Sequence, residues 1–203
     1  MTPIEHLVAL LRQSISAPTQ AIRSIIGLGL PRNELFAAMV LVTALSTIVA
    51  ALTGDLVIMV MPDGELITAS VFTFAVVNVS ILTIMAFALD MVGRAFGGKG
   101  NLDGALIVSI WWQLLSLIAG IALLGADVIL GDASWLLRVG VYGLLFWCFL
   151  SYISEIHGFN SLLAAFGVVV VALIAIAFGM TILLGFIRMM MASGIGAGGF
   201  ANV

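Results

Sequence analysis

The sequence predicts an all-α integral membrane protein, five transmembrane helices preceded by a short amphipathic N-terminal helix region. Three observations carry this. Of 203 residues, 63% are hydrophobic before the 22 glycines are counted, where a soluble domain is about 45–50% apolar with glycine included. Charged residues make up 8%, against about 25% in soluble domains. The charges that exist fall between long apolar runs. Seven Lys and Arg with ten Asp and Glu cannot cover a globule of this size, which excludes a soluble domain. Disorder is excluded by the same excess of apolar residues. The net charge of −3 argues against a nucleic-acid partner, which needs a basic patch to neutralise phosphates.

Residues 1–32 form a cytoplasmic amphipathic segment. Ile4, Leu7, Val8, Leu11 and Ile15 recur at helical spacing, with Glu5, Arg12, Gln13 and Ser16 elsewhere on the wheel. Pro18 ends this helix. A second short helix over 19–26 gathers Ile22, Ile25 and Ile26 before Gly27, Gly29 and Pro31 turn the chain. Such a pair either packs on the cytoplasmic face of its own bundle or lies in the interface, where it touches lipid or docks a partner. The small number of basic residues argues against strong reliance on anionic lipid for the second use. The apolar stretch 7–11 is short and no small-residue cleavage pattern follows, so the segment does not read as a signal peptide.

A membrane-crossing helix needs about 20 mostly apolar residues, because every backbone group must be satisfied within it. Residues 35–53, 67–89, 105–126, 133–153 and 161–187 meet this, and Arg138 is the one charge among them. Turn-forming residues separate them: Gly54 and Pro62-Asp63-Gly64, then Gly93 with Gly97-Gly98-Lys99-Gly100, then 127–132, then His157-Gly158-Phe159-Asn160. The transmembrane domain is therefore 33–188, and 189–203 reads as a flexible glycine-rich tail. With the N-terminus inside, Arg12, Arg23, Arg32, Arg94 and Lys99 are cytoplasmic while Arg138 and Arg188 lie outward. That asymmetry predicts a cytoplasmic N-terminus and an external C-terminus. Arg138 sits close enough to its helix end for its stem to carry the charge to the interface.

Polar groups inside the spans are the first place to look for function. They are Thr43, Ser46 and Thr47, then Asn78 and Ser80, then Ser109, Gln113 and Ser116. Each reads as a helix-to-helix tie or a bond back to its own helix; Asn78 and Gln113 are also the candidates for lining a transport path. No acidic residue lies at mid-membrane, which argues against an ion-coupled pump. Small residues four apart, Ser46, Ala50 and Gly54 on the first span, Ser116 and Gly120 on the third, Ala175 and Gly179 with Thr181 and Gly185 on the last, predict close helix approach. Cys148 is alone, so no internal disulfide forms, and its apolar surroundings predict packing.

His157 and Glu155 are two residues apart, on nearly opposite helix faces, a poor arrangement for a shared metal or an acid–base pair. No nucleophile motif, zinc-type spacing or Walker-type loop is present. These absences predict a protein that is not an enzyme and carries no cofactor. The turn Gly97-Gly98-Lys99-Gly100 with Arg94 reads either as a connection with a positive cytoplasmic anchor or as a cradle for a phosphate or lipid headgroup. Arg94, Gly97, Gly98, Lys99 and His157 are accordingly the candidate lipid or partner contacts.

Phe96-Gly97-Gly98-Lys99-Gly100 leaving the second span, followed by Asn101-Leu102-Asp103-Gly104-Ala105-Leu106 entering the third, resembles the bacterial branch of the Yip1 family. His157-Gly158-Phe159 followed by Ser161, and the approach over 21–31, are similar to the same family. The resemblance implies five spans with a cytoplasmic N-terminus and an external C-terminus, in a bacterial inner membrane. Eukaryotic members are associated with vesicle traffic, Rab-type GTPases and membrane shaping, and use a long polar N-terminal region that this sequence does not contain. The family carries no established catalytic residues to these positions. The expected function is a non-enzymatic multi-pass protein that organises membrane or partner proteins, with membrane lipids, a second copy or another membrane protein as partners. The alternative is a small transporter or lipid-handling protein with a polar path through the bundle.

Overall fold

The computed structural model describes residues 3–60, 64 and 66–192. Two short helices, α1 (Pro3–Ser16) and α2 (Pro18–Ile26), precede α3 (Arg32–Thr53). A hairpin of β1 (Val57–Val60) and β2 (Leu66–Thr68) follows, then α4 (Val71–Ala95), α5 (Leu102–Leu130), α6 (Ser134–His157) and α7 (Leu162–Ala192). The fold is helical and membrane-like. Four helical stretches are long and apolar enough to cross a membrane: Arg32–Thr53, Val71–Ala95, Leu102–His157 and Leu162–Ile182. The third runs for 56 residues because the short 3-10 turn Gly131–Ala133 keeps the chain helical between α5 and α6, which then pack along one another.

Helix ends follow local chemistry. Pro18 occupies the first turn of α2, where its missing N–H costs nothing. α3 stops at Gly54, whose φ of 74° is a left-handed conformation that glycine adopts freely. The expected span over 67–89 begins four residues late, because Ser70 caps α4 by accepting from the Thr73 amide at 3.2 Å. Ile67 and Thr68 instead pair with Met59 and Val57 in the hairpin. α4 also continues to Ala95, carrying Asp90 and Arg94 as an ion-paired helical turn at 2.6 Å. Asn101 caps α5 by accepting from the Gly104 amide at 2.8 Å. α7 continues through 189–192, positions that the sequence pattern places in the tail; positions 193–203 lie outside the described residues.

Packing is concentrated at one end of the bundle, the end that carries Arg94 and Lys99. Eight consecutive residues of α5, from Gly104 to Trp111, are buried on every side, as are seven of α6, from Cys148 to Ser154. Neighbouring helices α3, α4, α6 and α2 surround the first half of α5. Toward the hairpin end the same helices expose Ile121, Val128, Ile129, Val139 and Ile174, apolar surface that suits hydrocarbon rather than water. There Arg138 is paired with Asp127.

α1 is fastened to the packed end through Ser14, a residue that no sequence pattern singles out. Ser14 has no exposed surface. Its hydroxyl donates to the Leu10 carbonyl at 2.8 Å and accepts the Trp111 indole N–H at 2.9 Å. The Ser14 carbonyl receives the Cys148 thiol at 3.2 Å and the Tyr152 hydroxyl at 3.5 Å. Of the apolar face read from the sequence, Ile4, Leu7, Val8 and Ile15 stay exposed, with Ile4 at 75%, and Leu11 alone is partly buried against the core. Leu10 and Ser14, on the flank of that face, enter the bundle instead. Arg23 of α2 grips Glu155 of α6 at 2.5 and 3.0 Å, and the hydrogen bond to that carboxylate raises the Arg23 pKa. Ile22 and Ile25 bury beneath it while Ile26 remains outside.

Replacing Ser14 with alanine leaves a buried indole N–H without an acceptor. The expected loss is about 1–3 kcal/mol of stability, read as a lower thermal unfolding midpoint in detergent. Combining Ser14→Ala with Trp111→Phe should cost at least roughly 0.5 kcal/mol less than the two single losses added together; strict additivity would show that the bond contributes nothing.

Candidate functional site

The residues expected to carry function converge where α4 and α6 end side by side. Each helix closes with the same device. At the end of α4 the Gly97 amide bonds the Arg94 carbonyl and the Gly98 amide bonds the Gly93 carbonyl, both at 2.9 Å. At the end of α6 the Gly158 amide bonds Glu155 at 3.2 Å and the Phe159 amide bonds Ser154 at 2.9 Å. These are Schellman closures, and they require the left-handed backbone found at Gly97, φ 83°, and Gly158, φ 69°. The Lys99 amide then donates to the His157 carbonyl at 3.0 Å, which joins the two ends.

His157 sits inside this junction, 1% exposed. The sequence pattern suggests an interfacial anchor or loop contact, and the structure places the residue in the core. Three glycines make room for its ring. A Cβ on Gly93 would stand 2.1 Å from the His157 Cε1, one on Gly98 2.7 Å from its Nδ1, and one on Gly100 2.5 Å from Nδ1. No side chain fits at any of the three. Phe159 stacks on the imidazole at 5.4 Å between centroids and 22° between planes. The glycine-rich turn therefore wraps a histidine ring.

Asp90, 4% exposed, lies one turn before Gly93 on α4. One carboxylate oxygen takes the Arg94 guanidinium at 2.6 Å. Its other oxygen is buried with no hydrogen-bond partner, and the buried ring nitrogens of His157 have the Leu89 backbone and the Asp90 carboxylate near them. Unpartnered buried polar atoms are costly and mark a site out. A neutral imidazole has one donor and one acceptor, an imidazolium two donors, and a carboxylate beside either is a natural proton partner. Among the described residues, no group of three or more His, Cys, Asp and Glu is placed to hold a metal ion.

The other expected positions are dispersed. Gln113 donates to the Ser46 hydroxyl at 3.0 Å and ties α5 to α3. Asn78 lies half-buried on the inward stripe of α4 that includes Leu82, Ala86 and Leu89. Asn78 is 17 residues from the end of α4 at Ala95 and Gln113 is 11 residues from the start of α5 at Leu102. At 1.5 Å per residue they differ in depth by about 9 Å, and no contact joins them. Thr47, Ser80 and Ser109 donate back to the carbonyl four residues earlier at 2.8–2.9 Å, as expected of hydroxyls in apolar helices. Within the chain the small-residue stripes are not points of close approach: a Cβ at Gly120, Gly179 or Gly185 would meet nothing within 4 Å. Close approach falls instead at the His157 glycines and at Gly167, which faces the Phe96 ring at 3.0 Å.

Asp90, Gly167 and Ser14 are the residues that sequence reasoning misses, and Gly93 and Gly100 are legible only as turn residues, not as walls around His157. Asp90 and Arg94 stand four apart, a helical ion-pair spacing that signals a helix running past Leu89. The glycines carry no such signal, since their partner lies on another helix. No protein family, curated protein or solved structure matches the chain.

Gly93→Ala should destabilise the protein by at least about 1–3 kcal/mol through overpacking against the imidazole. Adding His157→Ala should recover part of that loss, because the clashing ring is gone. Thermal unfolding of the two single variants and the double variant reads this directly; a double variant no better than the sum would refute the contact.

Proposed function

We propose that the chain is a five-span inner-membrane protein of the Yip1 type, with a cytoplasmic N-terminus and an external C-terminus, that organises membrane or partner proteins without catalysing a reaction. In this reading α5 and α6, of 29 and 24 residues, are separate crossings joined at Gly131–Ala133. Each exceeds the length of about 20 residues that a bilayer requires.

The observation that carries the functional reading is the contact face at the packed end. α1 is fixed to the bundle through Ser14, yet it holds Ile4, Val8 and Ile15 outward. Beside it, Arg23 with Glu155 and Arg32 with Asp103 fasten the second helix and the start of α3 to the helix ends. A rigidly mounted apolar stripe at a membrane surface is suited to contact with lipid or a neighbouring protein. The Yip1 resemblance of the 96–106 and 157–161 segments supports the same assignment. A polar transport path is less well supported, because Gln113 is tied to Ser46 and does not approach Asn78.

Paired reporter fusions should find the N-terminus cytoplasmic and the C-terminus external; both termini on one side would overturn the five-span reading. A photo-crosslinker at Val8 should capture a second copy or a membrane protein in intact cells. Ile4→Ser with Val8→Ser should abolish that product while shifting stability by no more than about 0.5 kcal/mol per substitution, because both positions are exposed. Absence of any crosslinked protein would count against the organising role.

A further inference from the structure

A cleft runs along one face of α5 at the packed end, and its chemistry changes along its length. Gly100, Asp103, Ile107, Ile110, Trp111 and Leu114 follow one another at helical spacing. The outer part is a cavity of about 340 Å³ with a polar mouth formed by Lys99, Asn101 and Asp103. The deeper part, about 260 Å³, is apolar apart from His6 of α1, and is walled by Leu10 of α1, Ile25 of α2, Val42 of α3, and Trp111 and Leu114. Leu30 and Ile107 belong to both walls, so the two volumes adjoin across a single pair of side chains.

Charge at the mouth is uneven. Asp103 is neutralised by Arg32 at 2.7 Å. The Lys99 ammonium has no carboxylate partner among the described residues, although the Lys99 amide is fixed to His157. One uncompensated positive charge therefore stands at the rim of a pocket that deepens into hydrocarbon-like walls. The matching molecule has one negative charge at one end and an aliphatic chain at the other.

We propose that this cleft holds one anionic phospholipid from the surrounding membrane, with its phosphate beside Lys99 and an acyl chain against Trp111 and Leu114. The assignment goes beyond the Yip1-type reading and needs only a membrane location for the helices. A free phosphate would use the mouth alone and leave the apolar cavity unfilled. A zwitterionic lipid would bring its own cation to Lys99. A bound chain would also seal the gap beneath α1, filling space between Leu10 and Leu114 that the protein leaves open.

Trp111 in the wall provides the reporter. Purified full-length protein in a mild detergent is titrated with phosphatidylglycerol carrying a brominated acyl chain, which quenches indole fluorescence on contact. Saturable quenching is expected, and it should be lost in Trp111→Phe. Unbrominated phosphatidylglycerol should compete, phosphatidylcholine should compete weakly, and inorganic phosphate should not compete. Lys99→Gln should require about fivefold more lipid for the same quenching, with an unchanged unfolding midpoint. Native mass spectrometry of wild type and Lys99→Gln gives a second readout that leaves the tryptophans intact: one retained phosphatidylglycerol in the first and a lower occupancy in the second. Quenching proportional to lipid fraction and equal for both lipids would overturn the site, since it would mean ordinary bulk contact. Competition by inorganic phosphate would overturn the acyl-chain assignment. The topology fusions decide the Yip1-type reading independently of either result.

Discussion

A polypeptide in hydrocarbon has no water to bond, so each polar group must find its partner inside the protein. The arrangement of this chain follows from where those partners come from. Through the apolar lengths of the helices the answer is local: hydroxyls donate to the carbonyl one turn back. At the packed end the answer is tertiary. Trp111, Cys148 and Tyr152 all resolve their polar atoms on Ser14, a residue supplied from outside the apolar helices. α1 is therefore part of the bundle's hydrogen-bond network, and α5 and α6 share an acceptor that neither contains.

The same constraint explains the density of glycine around His157. Two helix ends at one level must each leave the helical conformation, and each does so through a left-handed glycine. The chain between them then passes within van der Waals reach of a buried imidazole, and positions 93, 98 and 100 have no space for a Cβ. Phe96 and Phe159 close the junction from the sides, the first against Gly167 and the second on the ring. The turn that looks like a phosphate loop in one dimension is a tight helix-to-helix junction in three. Its polar exposure begins only at Lys99 and Asn101, on the far side of Gly100.

Much of the architecture is legible in the sequence because it depends on neighbours along the chain. Apolar runs mark the long helices, Pro18 and Gly54 mark their ends, and the periodicity of Ile4 to Ile15 marks α1. The hairpin is legible in principle as well, since Val57–Val60 and Leu66–Thr68 flank a turn-forming Pro-Asp-Gly, but apolar strand residues are absorbed easily into an adjacent span. Which face of α1 buries is not legible. A helical wheel ranks positions such as Ile4 and Val8 by hydrophobicity, whereas the bundle selects the flank bearing a hydroxyl that Trp111 needs. For the candidate site, Arg94, Gly97, Gly98, Lys99 and His157 all stand out in the sequence, and they meet where α4 and α6 end. Their meeting point, and the roles of Asp90, Gly93 and Gly100, depend on α4 and α6 lying side by side, which no local pattern encodes.

α7 has 31 residues, about 46 Å at 1.5 Å per residue, against about 30 Å of hydrocarbon. Its apolar sequence runs unbroken from Leu162 to Ile187, 26 residues or about 39 Å. An apolar run longer than the hydrocarbon is accommodated by tilting, and Arg188 is the first charge along α7, the point at which that run closes.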